Sequence, residues 1–290
     1  MRLVVVIPTL NRKSQVARLL EHLERQERKP DEIVISAPDP THVEPYETSH
    51  FVVSYLFGKK GSSAQRNRAL DYALSRSDVV AFFDDDFLPA DNYLKQVMDR
   101  FAQHPDWAVI MGHVIADGVH HKGISFDQGL SILRSVKEDL SANSDAKDHI
   151  GAYGCNMSIR TRLIGELRFD ERLVLHGWQE DIDFTSQLRQ RGRVVKIHNA
   201  LGVHLGLKTG RVSGVRFGYS QIANPVYLIR KGTVPATFAL NLMARNVAAN
   251  VLKSLWPESY VDRRGRLRGN LLAMNHLLRG RVEPEYILKL

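Results

Sequence analysis

The chain reads as an α/β protein on a largely parallel sheet, followed by a basic helical tail. Short apolar runs alternate with segments of helical periodicity from the N-terminus onward. After His204 the pattern changes to long, sparsely charged helical stretches. The apolar runs also stop at polar residues, and in open α/β sheets ligands bind at strand ends.

The first element is Leu3-Val4-Val5-Val6-Ile7, mostly β-branched and continuous, the mark of a strand buried on both faces. It halts at Pro8, too short and wrongly flanked for a secretory signal, so a cytoplasmic start is expected. Ser14 to Arg28 carry Val16, Leu19, Leu20 and Leu23 at helical spacing, and Ile33-Val34-Ile35 form a second strand after the turn Lys29-Pro30-Asp31. Residues Phe51 to Leu56 read as a third strand and Ala64 to Leu74 as a helix. Val79-Val80-Ala81-Phe82-Phe83 is a fourth buried strand that runs into Asp84-Asp85-Asp86. Parallel strands with right-handed crossovers are the economical solution.

Asp117 to His149, rich in His, Asp, Ser and Gly, reads as a mobile loop over a site. Another helix, carrying Leu188, ends near Gly192. From Val215 to Trp256 the chain is helical in character, and no stretch approaches the roughly eighteen apolar residues needed to span a bilayer. The expected division is a nucleotide-binding domain over 1–210 and a basic helical extension over 211–290. That extension either packs on the domain, the preferred reading, or lies on a membrane surface with its cations toward lipid phosphates.

Among 290 residues the net charge is +8, which asks for an anionic partner. The excess is concentrated at Arg263-Arg264-Gly265-Arg266-Leu267-Arg268 and Arg279-Gly280-Arg281 and has no zinc-finger or RNA-binding signature, so nucleic acid is not expected. Cys155 is the sole cysteine, which excludes an intramolecular disulfide and a thiolate zinc site. Any metal must use oxygen or imidazole ligands.

Three constellations can carry chemistry. Asp84, Asp85 and Asp86 crowd like charges at the end of a buried strand, an arrangement that calls for a cation; such hard oxygen ligands suit Mg²⁺ or Mn²⁺. The bland reading is a solvated turn before Pro89. His176-Gly177-Trp178-Gln179-Glu180-Asp181-Ile182-Asp183 precedes a helix, where carboxylates are ordinarily caps. A capping role suits Asp183, whereas Glu180 and Asp181, behind Trp178 and a glycine-rich entry, suit a pocket wall with a general base. Gly61-Ser62-Ser63-Ala64-Gln65-Arg66-Asn67 is a small-residue helix entry able to receive an anion, weak by itself.

Taken together, these residues resemble the GT-A-fold glycosyltransferases of family 2. The likeness rests on Val-Ile-Pro-Thr-Leu-Asn-Arg at 6–12, the Gly61 to Asn67 turn, Asp-x-Asp at 84–86, Glu180-Asp181 and Gly202-Val203-His204-Leu205, in order over roughly residues 1 to 210. The resemblance implies a GT-A fold and an inverting enzyme that moves a sugar from a nucleotide-diphosphate donor of UDP, GDP or dTDP type. Pro8, Thr9, Arg12, Asp39, Gly61, Arg66, Asp84, Asp85, Trp178 and Glu180 would contact the nucleotide sugar. Asp86, Asp84 and His204 would hold the divalent ion, and Asp181 would be the base. A glycan or lipid-linked acceptor in cell-surface polysaccharide or glycolipid synthesis is implied, and the enzyme would be cytoplasmic, peripheral on the inner membrane face only if the extension takes its alternative, surface-lying reading. One departure concerns the nucleobase: paired acidic residues followed by Gly-Ser often occur after the second strand, and here that place holds Ser36-Ala37-Pro38-Asp39.

Two rivals remain at this level. A sugar nucleotidyltransferase should show a glycine-rich triphosphate loop where Pro8 to Arg12 stand, and a non-catalytic anion or membrane-binding module would make the basic tail its working surface.

Overall fold

The computed structural model describes residues 1–136, 146–209 and 212–290. Its first half is the predicted alternation. Strands β1 (Leu3–Pro8), β2 (Glu32–Ala37), β3 (Val52–Phe57) and β4 (Val79–Phe83) are parallel, with β1 paired to both β2 and β4. Helices α1 (Lys13–Leu23) and α2 (Ser62–Ala73) make two of the connections. Leu3 to Ile7 and Val79 to Phe83 are wholly buried because the sheet is covered on both faces.

Helix α1 ends at Leu23, earlier than the expected Arg28. The reason is tertiary: Gln26 is buried, donates to Ala90 O at 2.7 Å and accepts from Leu94 N at 3.0 Å, a tie that a continued helix would break.

Next come β5 (Phe87–Pro89), α3 (Tyr93–Gln103), β6 (Trp107–Asp117), α4 (Phe126–Ser135), β7 (Lys147–Asp148), β8 (Asn156–Arg160), α5 (Glu180–Leu188) and β9 (Arg193–His204). Sheet order is β3-β2-β1-β4-β8-β6-β9-β5, with β7 on β9. The expectation of parallel strands holds for one half only. Strand β8 runs antiparallel to β4 and β6, and β5 and β7 run antiparallel to β9. Asp84 to Asp86 are too short a link for a parallel crossover beside β4, so β5 leaves and pairs with β9 at the far side.

The loop expected over Asp117 to His149 is corrected in its described parts. Ser125 and Gln128 form a capping box that starts α4, and Lys147 and Asp148 pair with β9. Residues 137–145 of that stretch lie outside the described residues.

After β9 come α6 (Gly214–Lys231), α7 (Ala236–Lys253) and α8 (Arg263–Leu278). Helices α6 and α8 cross so closely that a Cβ on Gly218 would sit 2.0 Å from Arg266 O. Between the three helices Asn250 donates to Gln221 and Asn270, and Asn270 donates to Gly218 O at 2.7 Å, so the buried amides satisfy one another. The helices are not detached from the sheet. Leu173, Val174, Leu175 and Ile182 pack into their apolar clusters.

Asp183 supplies the polar part of this junction, and its expected capping role is corrected. Its side chain is wholly buried and accepts from Lys231 Nζ and Thr233 Oγ1, both at 2.6 Å, while Lys231 also reaches Asp170 at 2.7 Å. Loss of Asp183 would leave Lys231 only Asp170 as a carboxylate partner among the described residues and would take the acceptor from Thr233 Oγ1 at a part-buried position. Asp183→Ala is therefore expected to destabilise the protein by about 3 kcal/mol. Denaturant unfolding checks this, and a midpoint unchanged from wild type would contradict the latch.

Candidate active site

Strand register builds the acidic centre. Phe87 lies opposite His204 across β5 and β9, and Asp117, the last residue of β6, lies opposite the same His204. The end of β9 thus sits between the turn after β4 and the end of β6. Asp84, Asp86 and His204 converge there, each offering one ligand atom within 4.8 Å of the others. Asp86 Oδ1 is 3.3 Å from His204 Nε2, and Asp86 Oδ2 accepts from Leu207 N at 2.8 Å.

Two carboxylates and an imidazole are the oxygen and imidazole donors that a chain without a thiolate site must use for a divalent cation. The surroundings fit one as well. His204 Nδ1 lies 3.1 Å from Asp117 Oδ1, and Tyr153 donates to Asp117 Oδ2 at 3.1 Å, so the ring is oriented by a carboxylate behind it. Burial by itself would lower the His204 pKa, but hydrogen bonds to Asp117 and Asp86 outweigh it and raise it to about 10. The charged imidazole is then the local counter-charge to the carboxylates, a role that a divalent ion can take over.

Asp85 points the other way. It accepts from Thr9 Oγ1 at 2.7 Å and from Arg12 Nη1 at 2.6 Å, and burial raises its pKa to about 6 despite Arg12. Gln65 donates to Thr9 O at 2.8 Å and Ser36 O at 2.7 Å, which fixes the loop after β1 against the end of β2.

The three aspartates, Thr9, Arg12 and Gln65 stand on the wall of a cavity of about 390 Å³. Of the expected contacts, Pro8, Thr9, Arg12, Gly61, Asp84, Asp85 and Asp86 line it. Arg66 stands behind the wall: it is buried, pairs with Glu180 and donates to Asp84 Oδ1 at 2.8 Å. Ser62, on the wall, donates to Glu180 Oε1 at 2.8 Å. Arg66 and Ser62 therefore join the acidic turn to the Glu180-Asp181 pair.

Asp39 and Trp178 are not brought to the cavity, and Glu180, Asp181 and His204 do not line it either. Asp39 caps a short helical turn by accepting from Thr41 N at 2.8 Å, and Trp178 packs against Phe217. The wall also holds Gln65 and His176, named in the sequence only as members of their motifs, and Lys60, Ser213 and Arg216, which the sequence did not point to. Arg216 and Ser213 belong to the start of α6, so the helical extension closes one side of the cavity. A cation near an anion-calling turn was the available signal, but nothing in the sequence places α6 there.

The segment before α5 is bent by backbone strain. Leu175, Gly177 and Gln179 have φ of 60°, 73° and 79°, in the left-handed region. Leu175 O accepts from Ser62 N at 2.8 Å, and a Cβ on Gly177 would press within 2.6 Å of the Glu180 carboxylate, so the bend delivers Glu180 to Ser62 and Arg66. Gln179→Gly is expected to relieve about 1 kcal/mol of this strain. A higher melting temperature with reduced turnover checks it, and a lower one would contradict it.

Asp181 follows the bend. Its Oδ2 accepts from Gly154 N at 2.7 Å and its Oδ1 from Ile182 N at 2.8 Å, and the side chain stays partly accessible. Burial and then the Glu180 charge raise its pKa to about 7, against the pull of Arg66. A carboxylate poised there can take a proton at neutral pH.

Comparisons with known proteins agree with this geometry. The chain matches the family model "Glycosyl transferase family 2" over residues 4–168. Among solved structures, S. aureus TarS 1-349 is 17% identical with a TM-score of 0.58, over 97% of this chain and 82% of that one. TarS 1-349 in complex with UDP is 18% identical with a TM-score of 0.53, over 99% and 89%. The mannosyltransferase PcManGT from Pyrobaculum calidifontis, in complex with GDP-Man and Mn²⁺, is 15% identical with a TM-score of 0.54, over 99% and 85%. At these identities the likeness speaks for the GT-A fold alone. No curated protein compared with the chain matches it. The match to more than half of the chain, on a fold shared with these transferases, makes this protein a glycosyltransferase of family 2.

Proposed function

We propose that the enzyme transfers a sugar from a nucleotide-diphosphate donor to an acceptor hydroxyl in a single inverting displacement. The observation that carries this reading is the Asp84, Asp86 and His204 cluster at the cavity, linked through Arg66 to the Glu180-Asp181 pair. UDP or GDP donors are supported by the ligands named for TarS and PcManGT, and Mn²⁺ by the latter. The division into a transferase domain over 1–210 and an extension over 211–290 belongs to the same proposal.

Asp84, Asp86 and His204 would hold the divalent ion, whose chemistry is to neutralise charge on the departing diphosphate. The chain's own groups do the rest. Arg12 and Asp85 fix the nucleotide side of the cavity, and Lys60 and Arg216 bring positive charge to it. Arg66 pairs with Glu180 and opposes, without cancelling, the Glu180 charge that raises the Asp181 pKa. Asp181 accepts the acceptor proton as the hydroxyl oxygen bonds to the anomeric carbon, and the bond to the diphosphate oxygen breaks with its electron pair. One displacement inverts the configuration. A glycan or lipid-linked acceptor in surface polysaccharide synthesis remains the family's suggestion.

Nuclear magnetic resonance of the first-formed product tests the stereochemistry, and retained configuration would refute a single displacement. The pH dependence gives a second check. A base raised to about 7 is ionised above that value, so kcat/KM should fall about tenfold per pH unit below it and level off above. An acid limb near pH 4 would remove Asp181 from the role.

A further inference from the structure

Helices α7 and α8 carry large apolar side chains that no described residue covers. On α7 the exposed Leu240, Val251 and Leu252, with the small Ala244 and Ala248 between them, form one stripe, which continues past the helix end into Leu255 and Trp256. On α8 Leu271, Met274 and Leu278 do the same, and Trp256 and Leu278 are 82% and 88% exposed. Exposed apolar residues scattered singly need no explanation, but aligned on two packed helices they mark a surface that meets something.

The charges say what it meets. Arg264, Arg268, Leu271 and Leu278 follow one another on the same exposed face of α8, at successive spacings of four, three and seven residues, and Arg245, Arg279 and Arg281 are also exposed. Helices α6, α7 and α8 contain no aspartate or glutamate. Glu258, in the loop between α7 and α8, is taken by Lys253 and Arg263.

We propose that the α7–α8 face binds an anionic lipid bilayer peripherally, with Leu252, Trp256 and Leu278 entering the headgroup boundary and Arg264 and Arg268 meeting lipid phosphates. Apolar residues inserted under a rim of arginines are what an interfacial helix pair requires. A second copy of the chain fits worse. A two-fold interface sets the patch against itself, and with no carboxylate on these helices the arginines would confront arginines. Nucleic acid fits worse too, because the centre of the patch is aliphatic. No described helix is long and apolar enough to cross the membrane, so the contact is with its surface. This proposal stands apart from the transfer chemistry.

The test is co-sedimentation of the full chain with vesicles of phosphatidylcholine alone and with added phosphatidylglycerol. Binding is expected to the anionic vesicles only, to weaken with salt, and to shift tryptophan emission to the blue unless Trp256 is replaced by Phe. Leu252→Glu with Leu278→Glu should abolish it while melting temperature and nucleoside diphosphate binding stay at wild type. Arg264→Gln with Arg268→Gln should weaken it roughly twenty-five-fold, about five-fold for each cation. Absence of vesicle binding by the wild type would overturn the proposal. So would equal binding to both vesicle types, or a wild-type dimer in sedimentation velocity that Leu252→Glu converts to monomer.

Discussion

Asp181→Asn is expected to lower turnover by about 10³-fold while leaving nucleoside diphosphate binding in place. The substitution keeps the shape of the side chain and one oxygen that can accept from Gly154 N or Ile182 N, and gives up the acceptor for the other. What disappears is the group that takes the proton. The stability effect has the opposite sign. A carboxyl whose folded pKa lies above its unfolded value costs nothing below the unfolded value near 3.8 and destabilises progressively as pH rises toward about 7. Asn carries no such cost, so the variant should lose less stability than wild type as pH rises from about 4 to about 7. Lost activity with that shallower pH dependence of melting separates a missing base from a damaged fold. Equal activity in both proteins would assign proton removal elsewhere.

Asp86→Ala is expected to be as damaging, about 10³-fold or more, through a different route. Asp86 is buried, faces His204 Nε2 with one oxygen and holds Leu207 N with the other, so it ties the end of β9 to the acidic turn as well as offering a ligand. Its loss should weaken nucleotide binding along with turnover. The contrast between the two variants is the informative result: binding kept at Asp181, binding lost at Asp86. A steady-state comparison with nucleoside diphosphate titrations on both proteins reads it, and the same loss of binding in both would collapse the assigned division of labour.

The parts of this site that the sequence displays are those written in consecutive residues. Val79 to Phe83 could only be a buried strand, so the three aspartates after it had to sit at a sheet end, and Gly202 to Leu205 placed His204 at another. What bends the sheet is less visible. Asn156 to Arg160 has only Met157 and Ile159 as apolar residues, and a period of two gives no direction, so the antiparallel β8 went unread. Ser125 and Gln128 did carry a capping box, but the polar composition around them masked it. The groups that tune the centre come from far along the chain. Asp117 and Tyr153 orient His204 from different elements, Arg66 meets Glu180 across 114 positions, and Arg216 reaches the cavity only because α6 packs on Leu173 to Leu175. Such pairings follow from tertiary register, which periodicity does not encode.

Asp183 shows the same limit from the other side. Its place in the first turn of α5 is that of an ordinary cap, and the structure spends it on Lys231 and Thr233 at the far end of α6. That latch fastens the C-terminal end of α6 to α5, beside the apolar contacts of Leu173 and Ile182.

The direct test of the metal-centred account is calorimetric titration of UDP and GDP into the purified protein with and without Mn²⁺, repeated on Asp86→Ala. One of the two nucleotides should bind wild type tightly only with the ion present and should fail to bind the variant under either condition. Binding that ignores Mn²⁺, or that survives unchanged in Asp86→Ala, would contradict a cavity built to hold a diphosphate through a divalent cation.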